Sequence, residues 1–164
     1  MIVDILAFVR VLADAGVDYV IVGGVAANIH GSARTTLDID VVYERSPANV
    51  QRLADALAPY QPYLRGAPPG LPFSFDAATI KRGLNFTLST ALGDIDLLGE
   101  VAGGGTFERL AAHGEAIQLA DRRCLVVSLE KLIELKRAAG RPKDREVLAE
   151  LEALLEERDG RIDG

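Results

Sequence analysis

The sequence predicts a mixed α/β (α+β) fold, in which helices flank a mixed β-sheet. Three patterns indicate this: an α-β-α-β alternation opens the chain, two neighbouring β-rich segments give a hairpin signal in the middle, and helical periodicity closes it. A length of 164 residues is typical of one domain with a sizeable core. We therefore expect a single domain over residues 1–164, with a core at about 17–127 and C-terminal helices at about 128–158.

The first part of the chain is expected to alternate between helix and strand. Apolar residues recur at helical spacing in its first segment, and the β-rich run Tyr-Val-Ile-Val precedes the glycine pair Gly23-Gly24. Ser46 and Pro47 form a typical helix start, with an N-cap hydroxyl followed by proline in the first turn. The expected elements are a helix at 2–15, a buried strand at 19–22, a short helix at 25–30, a strand at 37–43 and a helix at 46–58.

The rest of the chain begins with an irregular segment and ends in helices. Residues 59–72 contain five of the seven prolines and two glycines, which predicts a loop that acts as a lid or a substrate-specificity element. Glycines at 103–105 and at position 140 mark later breaks. The expected elements are a short helix at 76–81, strands at 84–90 and 94–99, a short helix at 106–112, strands at 117–119 and 124–127, a helix capped by Ser128, and a last helix at about 143–157.

Composition and charge narrow the classes of protein. The net charge of −6 argues against broad electrostatic binding of nucleic acid or of an anionic membrane, although a local basic patch is compatible with it. The single cysteine, Cys124, excludes an intrachain disulfide and a multi-cysteine zinc site. The N-terminus lacks a basic signal-peptide region and no apolar run reaches about 18 residues, so we expect a cytoplasmic protein without a membrane span.

Asp38 and Asp40 are the most informative acidic residues. Side chains alternate between faces in a strand, so both carboxylates lie on one face of the strand expected at 37–43, about 7 Å apart. Burying them without a partner would cost several kcal/mol, so a cation should compensate them. A divalent ion is the simplest candidate, with Arg34 or Lys136 as the alternative. A solvated strand face, on which both aspartates are ordinary surface residues, would need no such cation.

A third carboxylate comes from the second strand of the expected hairpin. Asp96 is flanked by apolar residues within that strand, whereas Asp94 lies at the turn and is expected to face solvent. Asp38, Asp40 and Asp96 on neighbouring strands could together hold two Mg²⁺ ions about 4 Å apart. These three residues are therefore the candidate metal ligands and catalytic residues.

Four further residues are candidates for binding phosphate groups, and a fifth, Asp144, is an acid at the start of the last helix. The pair Gly23-Gly24 follows a strand, which favours close approach of an anion to backbone N–H groups, although a tight turn is the simpler explanation. Arg34 precedes the aspartate strand and could reach a phosphate. Lys136 falls on an apolar helix stripe, so it either extends to solvent or meets a buried anion such as a triphosphate. Asp144 begins the last helix, where it caps the helix or complements its dipole.

These motifs together resemble the nucleotidyltransferase superfamily typified by DNA polymerase beta. The signature of that family is an apolar residue, Gly-Gly or Gly-Ser, nine to thirteen residues, Asp-x-Asp/Glu and a later third acid. Here Val22-Gly23-Gly24 is followed by thirteen residues, by Asp38-Ile39-Asp40 and by Asp96. The runs at 34–40 and 132–144 are most similar to minimal bacterial members, including the AbiEii-type toxin nucleotidyltransferases. The resemblance covers about residues 17–145.

The resemblance implies a nucleotidyltransferase fold and its activity. That activity transfers a nucleoside monophosphate from a nucleoside triphosphate (NTP) to a hydroxyl group, with Mg²⁺ or Mn²⁺ as cofactor. The acceptor could be RNA such as tRNA, a protein or a small molecule, and a toxin–antitoxin role would add an antitoxin protein as partner. A catalytically inactive nucleotide- or partner-binding protein on the same fold is the alternative.

The resemblance also implies roles for individual residues. Asp38, Asp40 and Asp96 would bind the metal, and Asp96 would also activate the acceptor hydroxyl. Gly23, Gly24 and Lys136 would contact the phosphates of the nucleotide, and Asp144 would support the site.

Overall fold

The computed structural model describes residues 2–163, with side chains for residues 2–160. Its centre is one seven-stranded β-sheet. The strands are β1 (Tyr19–Val22), β2 (Asp38–Tyr43), β3 (Tyr63–Leu64), β4 (Phe86–Thr90), β5 (Gly93–Leu98), β6 (Gly114–Leu119) and β7 (Arg122–Val127). The helices are α1 (Ile5–Asp14), α2 (Gly23–Ile29), α3 (Pro47–Leu57), α4 (Ala77–Arg82), α5 (Phe107–Ala111), α6 (Leu129–Ala139) and α7 (Asp144–Asp163).

The sheet is mixed, as the sequence predicted. Its strand order is β3-β4-β5-β2-β1-β7-β6. The pairs β2–β5 and β1–β7 are parallel, and the four other pairs are antiparallel. Helices α1 and α3 contact one another, as do α2 and α6, and α2 also packs against β1 and β2. The predicted α/β class, with a mixed sheet and flanking helices, is confirmed.

Two helices begin at the serines that the sequence marked, since the Ser46 and Ser128 hydroxyls cap α3 and α6. The first helix begins later than the expected residue 2, because the Asp4 carboxylate caps α1 by accepting a hydrogen bond from the Ala7 amide at 3.0 Å. Gly140 ends α6 in the left-handed conformation, at φ +63°. Within the described residues, every helix is too short or too polar to cross a membrane.

The segment 59–72 is more ordered than the sequence predicted. A 3-10 turn, Ala58–Tyr60, leads into the edge strand β3, whose two residues pair with Ser89 and Leu88 of β4. The Tyr63 hydroxyl donates a hydrogen bond to the Pro68 carbonyl and accepts one from the Leu71 amide. Most of the segment is a loop, as expected, but β3 was not foreseen, because a strand of two residues is too short to show periodicity.

The N-terminal segment lies against the end of the sheet where β2 and β5 begin. The Val3 amide donates to the Leu37 carbonyl at 3.2 Å, and the Asp4 amide donates to the Leu92 carbonyl at 2.8 Å. Gly93 has φ +111°, and a Cβ atom there would lie 2.5 Å from the Cα of Val3. These contacts fix the residues that immediately precede the acidic positions of both strands.

Candidate functional site

Four carboxylates form one array on a single face of the sheet. Parallel pairing of β2 with β5 places Asp38 opposite Asp94 and Asp40 opposite Asp96. The intervening residue Ile39 is completely buried on the other face, as expected from strand alternation. Like charges directly opposite one another destabilise a sheet, so this acidic array, Asp38, Asp40, Asp94 and Asp96, requires a positive partner.

Three of these carboxylates converge closely enough to share a cation. Asp38, Asp40 and Asp96 each offer an oxygen, and the three oxygens lie within 4.8 Å of one another. Carboxylate oxygens are the ligands that Mg²⁺ and Mn²⁺ prefer. The structure therefore brings together the three acids that the sequence singled out.

Asp40 is the least satisfied member of the acidic array. Its Oδ1 atom is buried and has no hydrogen-bond partner among the described residues. Burial, then hydrogen bonding to Asp96 and the charges of Asp96 and Asp38, raise the pKa of Asp40 to about 8, while Lys136 acts in the opposite direction. An orphaned buried carboxylate oxygen beside two other acids fits a divalent cation.

Only glycine fits at position 23 beside the Asp40 side chain. Its φ is +66°, and a Cβ atom there would lie 2.1 Å from Oδ2 of Asp40. At Gly24 a Cβ atom would lie 2.9 Å from the Thr36 hydroxyl oxygen. The tight turn and the close approach to the aspartate are therefore one feature, because the left-handed backbone is what brings the chain against Asp40.

Lys136 meets a buried anion rather than extending fully to solvent. Its Nζ atom lies 3.4 Å from Oδ1 of Asp144, a residue that is only 5 % exposed. Arg141 donates from Nε to the other Asp144 oxygen at 2.8 Å. Burial tends to raise the pKa of Asp144, but the hydrogen bond from Arg141 and the charge of Lys136 outweigh it and hold the pKa below its usual value. Asp144 thus holds two cations in place.

These cations border a small cavity beside the acidic array. The cavity, of about 150 Å³, has Gly23, Asp40, Lys136 and Arg141 along its polar side. Its apolar lining comes from β1, the 101–102 segment and α6, namely Val22, Val101, Ala102, Leu132, Leu135 and Ala139. The two cations offer an anionic group such as a phosphate a place to bind at the polar side of this cavity.

Arg34 lies in a different environment from the one expected. Its Nε atom donates to Glu150 of α7 at 2.7 Å, and its Nη2 atom lies 3.6 Å from Glu146. The Ser32 hydroxyl also donates to Glu150, at 2.6 Å. In the part of the chain that the structure describes, Arg34 ties the loop before β2 to α7 and does not pair with the acidic array.

Arg65 is the site residue that sequence reasoning missed. Its guanidinium lies 3.7 Å from Asp38, 3.4 Å from Asp94 and 3.0 Å from Asp96. Arg65 thus pairs with three of the four carboxylates, whereas Arg34 and Lys136, the two side chains considered as their partners, pair with Glu150 and Asp144. One signal could have revealed it, because Arg65 is the only charged residue in the proline-rich segment 59–72.

The same contact corrects the expectation for Asp94. A carboxylate at the hairpin turn was expected to face solvent, but the Asp94 side chain is 35 % exposed and pairs with Arg65. The reason is the register of β5, which puts Asp94 on the same face as Asp96, two residues away.

The stability of the metal-free protein should fall as pH rises from about 5.5 to about 8.5. The pKa of Asp40 is higher in the folded than in the unfolded chain, so the folded state binds more protons in this window. Carboxyl groups whose pKa is lowered, such as Asp144, lose their protons at a pH below this window, so they do not change charge within it. Thermal unfolding should show a drop in Tm of roughly 5 °C or more, with Mg²⁺ restoring more stability at the higher pH. Asp40→Asn should flatten this dependence, and a Tm that rises with pH in the unaltered protein would contradict the assignment.

Comparison with known proteins supports the fold. No family model matches the chain, and no curated protein matches it. Among solved structures, the crystal structure of the lincosamide antibiotic adenylyltransferase LnuA with lincomycin bound is similar, with a TM-score of 0.58 and 14% sequence identity. The alignment covers 93% of this chain and 98% of that chain. At this identity the likeness concerns the fold alone, and it shows that the chain adopts a fold similar to that of a nucleotidyltransferase.

Proposed function

We propose that the chain is a single-domain, metal-dependent nucleotidyltransferase that moves a nucleoside monophosphate from an NTP to a hydroxyl group. The observation that carries this proposal is the convergence of Asp38, Asp40 and Asp96 oxygens within 4.8 Å. The fold similarity to an adenylyltransferase supports it independently. Both observations rest on three-dimensional geometry.

Asp38, Asp40 and Asp96 would hold Mg²⁺ or Mn²⁺. When bound, the metal would lower the pKa of the attacking hydroxyl and neutralise charge on the leaving pyrophosphate. In the reaction the acceptor oxygen forms a bond to the α-phosphorus, the bond to the bridging α–β oxygen breaks, and pyrophosphate leaves. Asp96 would also take the proton of the acceptor hydroxyl. Its Oδ1 is buried, lies 3.0 Å from Nη2 of Arg65 and accepts no hydrogen bond from the described residues.

Lys136 and Arg141 would bind the phosphate groups of the nucleotide. Both border the cavity that also contains Gly23 and Asp40. Asp144 would position the two cations, since it contacts both and is almost fully buried. Gly24 is proposed to contact phosphate through its backbone, as the sequence motif implies. Arg34 stays a predicted phosphate contact that would have to exchange its 2.7 Å pairing with Glu150 for the nucleotide.

A small hydroxylated molecule is the acceptor that we favour. The similar structure is that of an adenylyltransferase of lincosamide antibiotics with lincomycin bound, and the alignment covers nearly all of both chains. A net charge of −6 offers little general attraction for tRNA. The AbiEii-type subgroup, a toxin–antitoxin role and an antitoxin partner rest on the resemblance of residues 34–40 and 132–144 alone.

Transfer of label from α-³²P NTPs tests the proposal. The four NTPs are each incubated with the protein, Mg²⁺ or Mn²⁺, and one of three acceptors: pooled tRNA, a protein mixture, or a panel of hydroxylated small molecules that includes lincomycin. We expect metal-dependent transfer to a small molecule. Binding of NTP and metal without transfer to any acceptor would favour the inactive binding protein. Absence of metal and NTP binding would contradict both.

A further inference from the structure

Arg65 enters the acidic array from outside the motifs that define the candidate site. It directly follows strand β3, and its amide donates to the Thr87 carbonyl at 3.0 Å, which continues the pairing of β3 with β4. Thr87 pairs with Asp96 in the next strand. The pairing of β3, β4 and β5 therefore positions Arg65, at the edge of the sheet, beside the aspartates.

Arg65 balances the negative charge of the acidic array through ion pairs that are not well-formed hydrogen bonds. Its Nη2 atom lies 3.0 Å from Oδ1 of Asp96, yet among the described residues that oxygen accepts no hydrogen bond and the buried Nε atom of Arg65 donates none. The guanidinium does form a hydrogen bond from Nη2 to the Leu88 carbonyl, at 2.9 Å. Strong arginine–carboxylate pairs are bidentate with donor–acceptor distances near about 2.8 Å, so this ion pairing is easily exchanged.

Arg65 and a divalent cation would draw on the same carboxylates. Asp38 and Asp96 belong both to the three acids that converge for a cation and to the partners of Arg65. A guanidinium held 3 to 4 Å from those oxygens would repel a metal ion bound to them. The two positive groups therefore exclude one another at short range.

We propose that Arg65 is the resident counter-ion of the acidic array, which a divalent cation must displace before it binds Asp38, Asp40 and Asp96. Arg65 is thus a positioning residue that sets metal affinity, and this inference rests on the metal-dependent function proposed above. Displacement also releases the edge strand, because β3 has only two residues and the Arg65 side chain links it to β5. Metal binding and loosening of residues 63–67 are therefore coupled.

Mn²⁺ binding, measured by calorimetry in the absence of nucleotide, tests the displacement. The variants are Arg65→Gln, Arg65→Lys, Asp40→Asn and a matched control, Arg122→Gln, which removes an arginine paired with Asp14 and Asp121 elsewhere on the surface. Arg65→Gln should bind Mn²⁺ at least about fivefold more tightly than the unaltered protein. Arg65→Lys should lie between the two, and Arg122→Gln should stay within about twofold.

Hydrogen exchange of the unaltered protein provides a readout that needs no variant. Mn²⁺ should speed exchange of the Arg65 amide and its neighbours while slowing exchange in β2 and β5. A purely structural Arg65 would show uniform protection on metal binding, and this result would overturn the proposal even if Arg65→Gln failed to fold.

The outcomes separate this inference from the proposed function. Equal or weaker Mn²⁺ binding by Arg65→Gln, with Asp40→Asn unable to bind, would overturn displacement and leave the metal site intact. Absence of Mn²⁺ binding in every variant would overturn both displacement and the metal-dependent function.

Discussion

Replacing Asp40 with asparagine is expected to lower the rate of nucleotidyl transfer by about a thousandfold or more. Asp40 is the central acid of the array, aligned with Asp96 and in contact range of Gly23. The amide keeps the shape of the side chain but removes the charge that would hold the metal ion at the reacting phosphate. Labelled-NMP transfer, at metal and NTP concentrations that saturate the unaltered protein, measures the effect.

The stability of Asp40→Asn separates loss of chemistry from loss of folding. Because burial and neighbouring acids raise the pKa of Asp40 to about 8, the neutral amide removes an unfavourable buried charge at alkaline pH. The variant should therefore unfold at a higher temperature than the unaltered protein at about pH 8.5 in the absence of metal. Asp55→Asn is the matched control, since Asp55 lies on the exposed face of α3, where it accepts a hydrogen bond from Gln51. Near-normal transfer by Asp40→Asn would refute the assigned role.

Gly23→Ala is expected to cost both stability and activity. The new Cβ atom would lie 2.1 Å from Oδ2 of Asp40, on a backbone with φ +66° that alanine adopts poorly. Overpacking and backbone strain together should lower the free energy of unfolding by about 3 kcal/mol. Asp40 must also move, and a displacement of about 1 Å at a reacting centre can cost about a hundredfold in rate.

Gly70→Ala isolates the backbone contribution from the clash. Gly70 also has a positive φ, +87°, but a Cβ atom there would meet nothing within 4 Å. Its substitution should cost only about 1 kcal/mol and leave Mn²⁺ affinity unchanged. Denaturant unfolding of both variants, together with Mn²⁺ binding, measures the difference. Equal losses in the two variants would show that the contact with Asp40 is unimportant.

The site follows from one pairing choice in the sheet. Parallel alignment of β2 with β5 puts two Asp-x-Asp segments in register, so that each acid stands beside another. A shift of one residue in this register would send one pair of carboxylates into the buried face that holds Ile39 and Ile95. The apolar residues between the acids therefore fix the carboxylate geometry as well as the core.

Local signals in the sequence determined the class of fold and the principal acids. Caps at Ser46 and Ser128 mark helix starts through hydrogen bonds within three residues, so they need no knowledge of the rest of the chain. The alternation around Asp38 and Asp40 likewise fixes a shared face, because a strand has a period of two. The spacing between the glycine pair and these acids also indicated a site at Asp38 and Asp40, and in the fold Gly23 lies against Asp40.

Tertiary structure alone decided which groups balance the negative charge. Strand β3, the placement of Arg65, the turn of Asp94 toward it and the pairing of Lys136 with Asp144 all depend on segments far apart in sequence. No local periodicity encodes such partners, since the register between distant strands is selected by packing of the whole sheet. The sequence thus indicated where negative charge accumulates, at the aspartates of β2 and β5. The fold determined that Arg65, from the edge of the sheet, pairs with them.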